Sequence, residues 1–94
     1  MADFEWDDLK AEANLAKHRI SFEDAISIFS DPDLMMVATI READREERYK
    51  ALGRIGPRLF VVVYVERPGA TRIISARRAN AQEERQYGDR QTDP

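Results

Sequence analysis

The apolar residues of segment 22–29 follow the spacing of one face of an α-helix. They fall at positions i, i+3, i+4 and i+7, which predicts a helix that packs this face against a core. Ser21 and Asp24 stand at the spacing of a capping box at its start. Asp31-Pro32 predicts its end, because the residue before a proline avoids the α region. The predicted core face consists of Phe22, Ala25, Ile26 and Phe29.

The N-terminal segment predicts a short strand followed by another helix. In FEWDD, Phe4 and Trp6 alternate with acidic residues, which is typical of a short edge strand. Asp7 or Asp8 then caps a weakly amphipathic helix that runs to about Lys17. The chain therefore has two predicted helices before its first long strand.

Apolar runs between residues 34 and 76 predict a β-sheet. Short connections with the turn-forming pairs Gly56-Pro57 and Pro68-Gly69 make the flanking strands antiparallel neighbours. The run LFVVVYV is apolar on both faces, so we expect it to form the central strand, with helices against at least one face. The predicted strands are LMMVATI (Leu34–Ile40), ERYKALGRI, RLFVVVYVE and TRIISA, and the charged READREE is a predicted loop.

A second capping box, Asn80 with Glu83, begins the last predicted element. This helix is expected to end at about Tyr87 or Gly88, with a frayed tail from about residue 89. Helices followed by strands and a final helix, without alternation, indicate the α+β class. We therefore predict one domain over residues 1–94, with two N-terminal helices, an antiparallel meander of three or four strands and a C-terminal helix.

The chain has no cysteine and one histidine, which excludes disulfides and thiolate metal sites. Its acidic residues lie in runs without ligand spacing, so we expect neither a metal site nor a cofactor. The acidic N-terminus lacks the basic and apolar regions of a signal peptide. The longest nearly apolar run has seven residues, whereas a membrane span needs about 20. We therefore expect a cytoplasmic protein without a membrane partner.

The net charge of −3 is unevenly distributed along the chain. Residues 1–40 carry 3 basic and 9 acidic side chains, whereas residues 41–94 carry 12 basic and 9 acidic ones, and all but one of those 12 are arginine. Arginine suits two-point contact with phosphate, because its planar fork stays charged. The distribution favours a phosphate-binding surface in the second part, although arginines that only solvate a fold give the same composition.

Arg77 and Arg78 follow the strand TRIISA and precede the helix that begins at Asn80. Unpaired N–H groups at a helix start favour anions, so the two arginines predict a phosphate subsite. In a regular strand they point to opposite faces. We then expect one to touch a phosphate and the other to hold a carboxylate or a flanking phosphate. The alternative is an ordinary ion pair with Glu83, Glu84 or Glu47.

Strict alternation assigns faces to two of the predicted strands. The basic row of EERYKALGR is either a solvated face or a groove that contacts phosphates. Glu46 or Glu47 would then act as a general base or orient an arginine. Along EERYKALGR, alternation places Arg48, Lys50 and Arg54 on one face, with Glu47 on the other. Along TRIISA, it places Arg72, Ile74 and Ala76 on one face and Thr71, Ile73 and Ser75 on the other.

Two further side chains have both a structural and a chemical interpretation. Tyr87 lies four residues after Glu83, so both occupy one helix face. It either packs the helix on the sheet or donates a proton near the arginines. His18 is either the structural end of the first helix or a catalyst, because histidine changes charge near neutral pH.

In this order, FEWDDLKAEANLAKH, SFEDAISIFSDP, EERYKALGR and RIISARRANAQEERQY resemble the BrnT family of bacterial type II toxins, over about Phe4 to Tyr87. The strongest matches are Phe4-Glu5-Trp6-Asp7, Asn14 with Lys17-His18, and Ile73-Ile74-Ser75-Ala76-Arg77. One departure is Arg19, where the family usually has glycine.

The resemblance implies a RelE-like fold and a ribonuclease that cuts RNA without a metal. It also implies neutralisation by a BrnA-type antitoxin, with operator DNA bound only through that antitoxin. Such a site needs cations on the phosphorane, a base and an acid. The implied catalytic residues are Arg77, Arg78 and Arg48, with Glu47 or His18 as base and Tyr87 as acid. The implied RNA-binding residues are Lys50, Arg54, Lys17 and His18.

Two other functions remain open at this point. The chain could be a non-catalytic module whose arginine face docks an antitoxin, or a degenerate toxin kept as a co-repressor subunit. Direct DNA binding is a third possibility, but the net charge and the lack of a basic recognition helix count against it.

Overall fold

The computed structural model describes residues 3–39 and 47–92 and has the predicted α+β class. Ile40 and residues 41–46 of the predicted loop lie outside the described residues. The elements are β1 Phe4–Glu5, α1 Asp8–His18, α2 Phe22–Ala25, a 3₁₀ helix Ile26–Ser30, β2 Met35–Thr39, β3 Arg48–Ile55, β4 Arg58–Arg67, β5 Ala70–Arg78 and α3 Ala81–Thr92.

The described strands form one sheet in the order β1-β5-β4-β3-β2. Four of them are antiparallel neighbours, and β4 is central, as predicted. The prediction of three or four antiparallel strands was wrong in detail, because the two-residue β1 adds a fifth strand that runs parallel to β5. This pairing joins Phe4 to Thr71 and Glu5 to Arg72. Such a long-range pairing leaves no trace in the local pattern.

The second predicted helix is a four-residue α-helix that continues as a 3₁₀ helix. Three residues per turn place every third side chain on one line. Phe22, Ala25 and Ile28 are accordingly fully buried, whereas the predicted core residues Ile26 and Phe29 are half-buried. Ser21 caps this element as predicted, since its Oγ accepts a hydrogen bond from the N–H of Asp24 at 3.0 Å.

Helices cover both faces of the sheet. We call the face against α1, α2 and the 3₁₀ helix the inner face, and the opposite one the outer face. Ala51, Val62 and Tyr64 belong to the inner core. Part of the outer face packs against α3 through Leu52, Leu59, Val61 and Tyr87.

A β-bulge in β5 breaks the strict alternation expected along TRIISA. Val63 pairs with Ser75 and Tyr64 pairs with Ile73, so Ile74 is an extra residue. Ile73 and Ala76 therefore share the inner core, which corrects the predicted faces. Beyond the bulge, β5 continues through Arg78.

The ends of α1 and α3 agree only in part with the prediction. The backbone of α3 stays helical to Thr92, past the predicted end at Tyr87 or Gly88. Asp7 caps α1, as one of the two predicted alternatives. At the other end of α1, Arg19 adopts a left-handed conformation with φ 62°, and its N–H donates to the carbonyl of Leu15. The turn is thus made without glycine.

Candidate functional site

The two adjacent arginines at the end of β5 lie on opposite faces of the sheet. Arg77 pairs with Val61 of the outer core, whereas Arg78 pairs with Phe60, which packs against the inner core. Arg77 is half-buried and Arg78 is exposed. Among residues 3–39 and 47–92, Arg78 has no acidic side-chain partner. Only Arg77 therefore shares a face with the basic residues of β3.

Glu83 of α3 joins Arg77 of β5 to Lys50 of β3. Its carboxylate accepts two hydrogen bonds from Arg77, at 2.8 Å to Oε1 and 2.9 Å to Oε2. Nζ of Lys50 donates to Oε2 at 3.0 Å. The predicted capping box also forms, since the N–H of Asn80 donates to Oε1 at 2.9 Å and Oδ1 of Asn80 accepts from the N–H of Glu83 at 2.8 Å. The Glu83 side chain is only 4% exposed.

These contacts fix the charge state of the cluster. Hydrogen bonds from Arg77, Asn80 and Lys50 lower the pKa of Glu83 to about 2, against the opposing effect of burial. The Glu83 carboxylate in turn raises the pKa of Arg77 above its ordinary value. Glu83 therefore stays ionised at neutral pH. With its oxygens occupied, it orients Arg77 and Lys50 and is poorly suited to accept a proton.

A small cavity lies on the part of the outer face next to this cluster. It measures about 250 Å³, and we call it the outer cavity. Its floor includes Val63, which pairs with both Lys50 and Ser75 across the sheet. Arg48 lies on its wall and shares the outer face with Lys50, as the alternation predicted. The lining residues are Thr39, Arg48, Val63, Ile74 and Ser75.

Tyr87 packs α3 onto the sheet and is 1% exposed. Its hydroxyl donates to Oδ2 of Asp31 at 2.7 Å, and the guanidinium of Arg54 lies 5.0 Å from its ring centre. Burial, followed by this bond to Asp31, raises the pKa of Tyr87 to about 12. Tyr87 and Arg54 thus share the outer face with Arg77, but the Tyr87 hydroxyl points at Asp31.

Glu47 lies away from this cluster. It precedes Arg48 in the chain and accepts a hydrogen bond from the hydroxyl of Tyr49 at 2.9 Å. Tyr49 stacks on Tyr64 of the inner core, with ring centres 5.6 Å apart. This hydrogen bond, which Tyr49 donates to Glu47, raises the pKa of Tyr49. The structure therefore does not bring Glu47 together with Arg48, Lys50 and Arg77.

Lys17 and His18, at the end of α1, line a second cavity beside the open edge of β5. This edge cavity measures about 250 Å³. It is separate from the Glu83 cluster but shares Ile74 and Ser75 with the outer cavity. Its lining residues are Lys10, Ala13, Asn14, Lys17, His18, Ile74 and Ser75.

Sequence reasoning missed the roles of two polar residues. Asn14 is buried and bonds to both backbone groups of Ala76, accepting from its N–H at 3.1 Å and donating to its carbonyl at 2.8 Å. Asp31 accepts from the N–H of Arg54 at 2.8 Å as well as from Tyr87. An asparagine within a helix that packs on a sheet was the available signal for Asn14. Nothing local marks Asp31 beyond its position before a proline.

The described ranges contain no group of three or more His, Asp or Glu side chains that could hold a metal ion. None of the helices in those ranges is long and apolar enough to cross a membrane.

With this geometry in place, the chain can be compared with known proteins. Residues 6–83 match the model of the ribonuclease toxin BrnT of type II toxin–antitoxin systems. The chain belongs to the BrnT toxin family. No curated protein matches it significantly. The match contains most of the residues discussed above, from Trp6 to Glu83, while Tyr87 follows it. Membership in this family implies ribonuclease activity and a partner antitoxin. The RelE-like fold stays a prediction.

Proposed function

We propose that this BrnT-family chain is a metal-independent endoribonuclease that cleaves RNA on the outer face and thereby inhibits translation. The observation that carries the proposal is the group of Arg48, Lys50 and Arg77 on one face, beside a cavity. Glu83 accepts hydrogen bonds from two of these cations, Lys50 and Arg77, and holds them in position. Lys50 and Arg77 carry two positive charges against the one buried carboxylate of Glu83, which leaves this cluster net positive and suited to a phosphate.

The chemistry of this site follows from what its residues can do. The ribose 2′-OH attacks the adjacent phosphorus, the bond to the 5′-oxygen breaks, and a 2′,3′-cyclic phosphate forms. One proton leaves the 2′-OH and another reaches the departing oxygen. Negative charge builds up on the phosphorane in between, and preorganised cations stabilise such charge without moving. We assign this role to Arg48, Lys50 and Arg77.

The proton-transfer roles are less direct in this geometry. Glu47 is on the other face, and the hydroxyl of Tyr87 is buried and committed to Asp31. His18 lines the edge cavity, which meets the outer cavity at Ser75. We therefore propose that charge stabilisation and positioning supply most of the rate, with His18 as the side chain best placed to exchange a proton with a strand lying over the bulge.

The proposed partner follows from the family. A type II toxin is held by an antitoxin, and we propose a BrnA-type antitoxin that also provides the operator-binding part of the complex. The net charge of −3 for the chain supports leaving DNA contact to the partner.

The test is an RNA cleavage assay with purified protein in excess EDTA. We expect cleavage to persist and to leave a 2′,3′-cyclic phosphate. Arg48→Gln should lower the rate by roughly 10²–10³-fold, the loss seen when one donor to a developing oxyanion is removed. Arg58→Gln, an exposed arginine lining neither the outer nor the edge cavity, is the matched control. Loss of cleavage in EDTA, or equal rates for both variants, would contradict the proposal.

One observation favours a second function. Four of the hydrogen bonds to Glu83 come from Arg77, Lys50 and Asn80, so two of the three cations already have a structural task. A non-catalytic antitoxin-binding module or co-repressor subunit would need no more than this. If the protein cleaves no RNA at any excess, yet binds its antitoxin, this second function is the correct one.

A further inference from the structure

The outer cavity and the edge cavity meet at the β-bulge. Ile74 and Ser75 line both cavities. The outer cavity lies on the sheet face, and the edge cavity lies beside the open edge of β5. Each cavity measures about 250 Å³. An extended ligand that enters the outer cavity beside Arg48 can therefore cross the bulge and continue along α1.

Within residues 3–39 and 47–92, no strand pairs with the edge of β5 at this point. The parallel strand β1 pairs only as far as Arg72, and the side chain of Asn14 serves as partner for Ala76. Ile74 and Ser75 lie between these two positions and pair with neither β1 nor Asn14. The hydroxyl of Ser75 makes no hydrogen bond with another side chain in the described part of the chain, which leaves it available to a ligand.

Basic and acidic side chains lie on different sides of α1, and the basic side lines the edge cavity. Lys10 and Lys17 lie seven residues apart on the helix face that lines the edge cavity. Asp8 and Glu12 lie two residues on either side of Lys10, roughly 160° around the helix at 100° per residue. Neither lysine has an acidic partner among residues 3–39 and 47–92. An acidic chain thus carries two unpaired lysines on the one helix face next to the proposed cleavage site.

We infer that the two cavities form one continuous groove for single-stranded RNA, in which Lys10, Lys17 and Ser75 hold a phosphate next to the one that is cleaved. This inference rests on the proposed ribonuclease function and adds a second subsite to it. RNA is favoured over an acidic protein segment because the groove runs from the edge of β5 into the cavity at Arg48.

The inference is tested by binding and cleavage measured separately. Binding is measured by fluorescence anisotropy with a short single-stranded RNA whose 2′-OH groups are all methylated, so that it cannot be cut. The variant is Lys10→Gln with Lys17→Gln. The matched control, Arg58→Gln with Arg85→Gln, removes the same charge from exposed positions lining neither cavity. Thermal unfolding of both variants checks that each is folded.

We expect the lysine variant to bind roughly 5-fold more weakly near 0.1 M salt and the control to bind like the wild type. The slope of log affinity against log salt should fall by about 0.7, since one phosphate contact is lost and each accounts for about 0.7 with a single strand. Ser75→Asp, which places a negative charge at the junction of the two cavities, should weaken binding of the same RNA.

Three results would overturn the inference. If wild type cleaves RNA but the lysine variant binds like its control, the edge cavity is not a subsite, although the ribonuclease function stands. If the lysine variant loses binding to the antitoxin and keeps RNA binding, α1 contacts protein instead. If wild type neither binds nor cleaves RNA, the proposed function fails and the inference fails with it.

Discussion

Arg77 and Glu83 form a two-point ion pair that joins the end of β5 to the first turn of α3. The two N–O distances are 2.8 and 2.9 Å, and the Glu83 side chain is almost fully buried while the Arg77 side chain is one-third exposed. A buried carboxylate is costly without partners. The arginine that the sequence suggested for phosphate contact therefore also holds the fold together.

The first prediction compares Arg77→Ala with Arg78→Ala. Removing Arg77 leaves the buried Glu83 carboxylate with Lys50 and the N–H of Asn80 as its hydrogen-bond donors, and we expect the free energy of unfolding to fall by about 3 kcal/mol. Arg78 is exposed on the inner face, so its removal should change stability by less than about 0.5 kcal/mol. Urea unfolding measures both values. Equal losses would show that the ion pair contributes little.

This prediction affects how toxicity data must be interpreted. A domain of this size has a total stability of about 5–15 kcal/mol. Relief of growth arrest in Arg77→Ala would therefore not separate catalysis from folding. Arg77→Gln combined with Glu83→Gln removes both charges together and keeps hydrogen-bonding groups. Because Glu83 also binds Lys50, a folded but inactive double variant would assign Arg77 to the chemistry only where Glu83→Gln alone stays active.

The second prediction concerns stability in acid. The pKa of Glu83 is about 2 in the folded protein, against 4.5 for an ordinary glutamate. Because the pKa of Glu83 is lower in the folded state than in the unfolded state, its ionised form stabilises the fold fully above the unfolded-state pKa. This stabilisation is lost as the pH falls toward the folded-state pKa. We expect about 2–3 kcal/mol of stability to disappear between about pH 5 and pH 2 from this group. Unfolding by urea at a series of pH values measures the loss.

Glu83→Gln is the variant that isolates this effect. It should be less stable than wild type at pH 7, and the difference should shrink as pH falls, because the variant has no proton to gain at this position. Glu84→Gln is the matched control on the same helix, since Glu84 is exposed. A constant difference between Glu83→Gln and wild type across this range would contradict the assignment of the low pKa.

The third prediction concerns Asn14, whose amide serves as a substitute strand partner for Ala76. Asn14→Ala removes these two bonds and a third, from Nδ2 to the carbonyl of Ile20 at 3.3 Å. We expect a loss of about 2–3 kcal/mol, because buried backbone groups lose their partners. Asn14→Asp keeps the shape but faces two carbonyls without a donor, so it should be at least as unstable at pH 7. Glu12→Ala, on the exposed side of α1, is the control; a similar loss there would refute the pairing role.

The fourth prediction concerns Gly53, which lies where the 3₁₀ helix approaches β3. A Cβ at this position would lie 2.8 Å from Cβ of Ile28 and 2.9 Å from its carbonyl oxygen. Gly53→Ala should therefore destabilise the protein by about 1–3 kcal/mol. Gly88→Ala is the contrast, because nothing lies within 4 Å there and the residue is inside α3. Gly88→Ala should stabilise the protein by about 0.5–1 kcal/mol. In thermal unfolding, Gly53→Ala should therefore melt below the wild type and Gly88→Ala above it.

Local patterns in the sequence account for most elements, and long-range contacts account for the differences. Capping residues and turn pairs are local, so the helix starts and hairpins were predicted correctly. The bulge at Ile74 and the pairing of β1 depend on distant partners and were missed. For the site, the opposite faces of Arg77 and Arg78 followed from alternation alone. The position of Glu47 on the other face also followed from alternation. Only tertiary structure shows that Glu83, out of three possible partners, pairs with Arg77 and also binds Lys50.

The last prediction concerns Arg19, which ends α1 in the left-handed region with φ 62°. A side chain in that region costs about 1–2 kcal/mol, because Cβ crowds the backbone. Glycine removes this cost but loses about 0.5–1 kcal/mol through the greater freedom of the unfolded chain. Arg19→Gly should therefore raise the free energy of unfolding by about 0.5–1 kcal/mol, as measured by urea unfolding. Arg19→Ala keeps the Cβ and serves as the control, so a gain in that variant would mean that the charge, and not the backbone, was responsible.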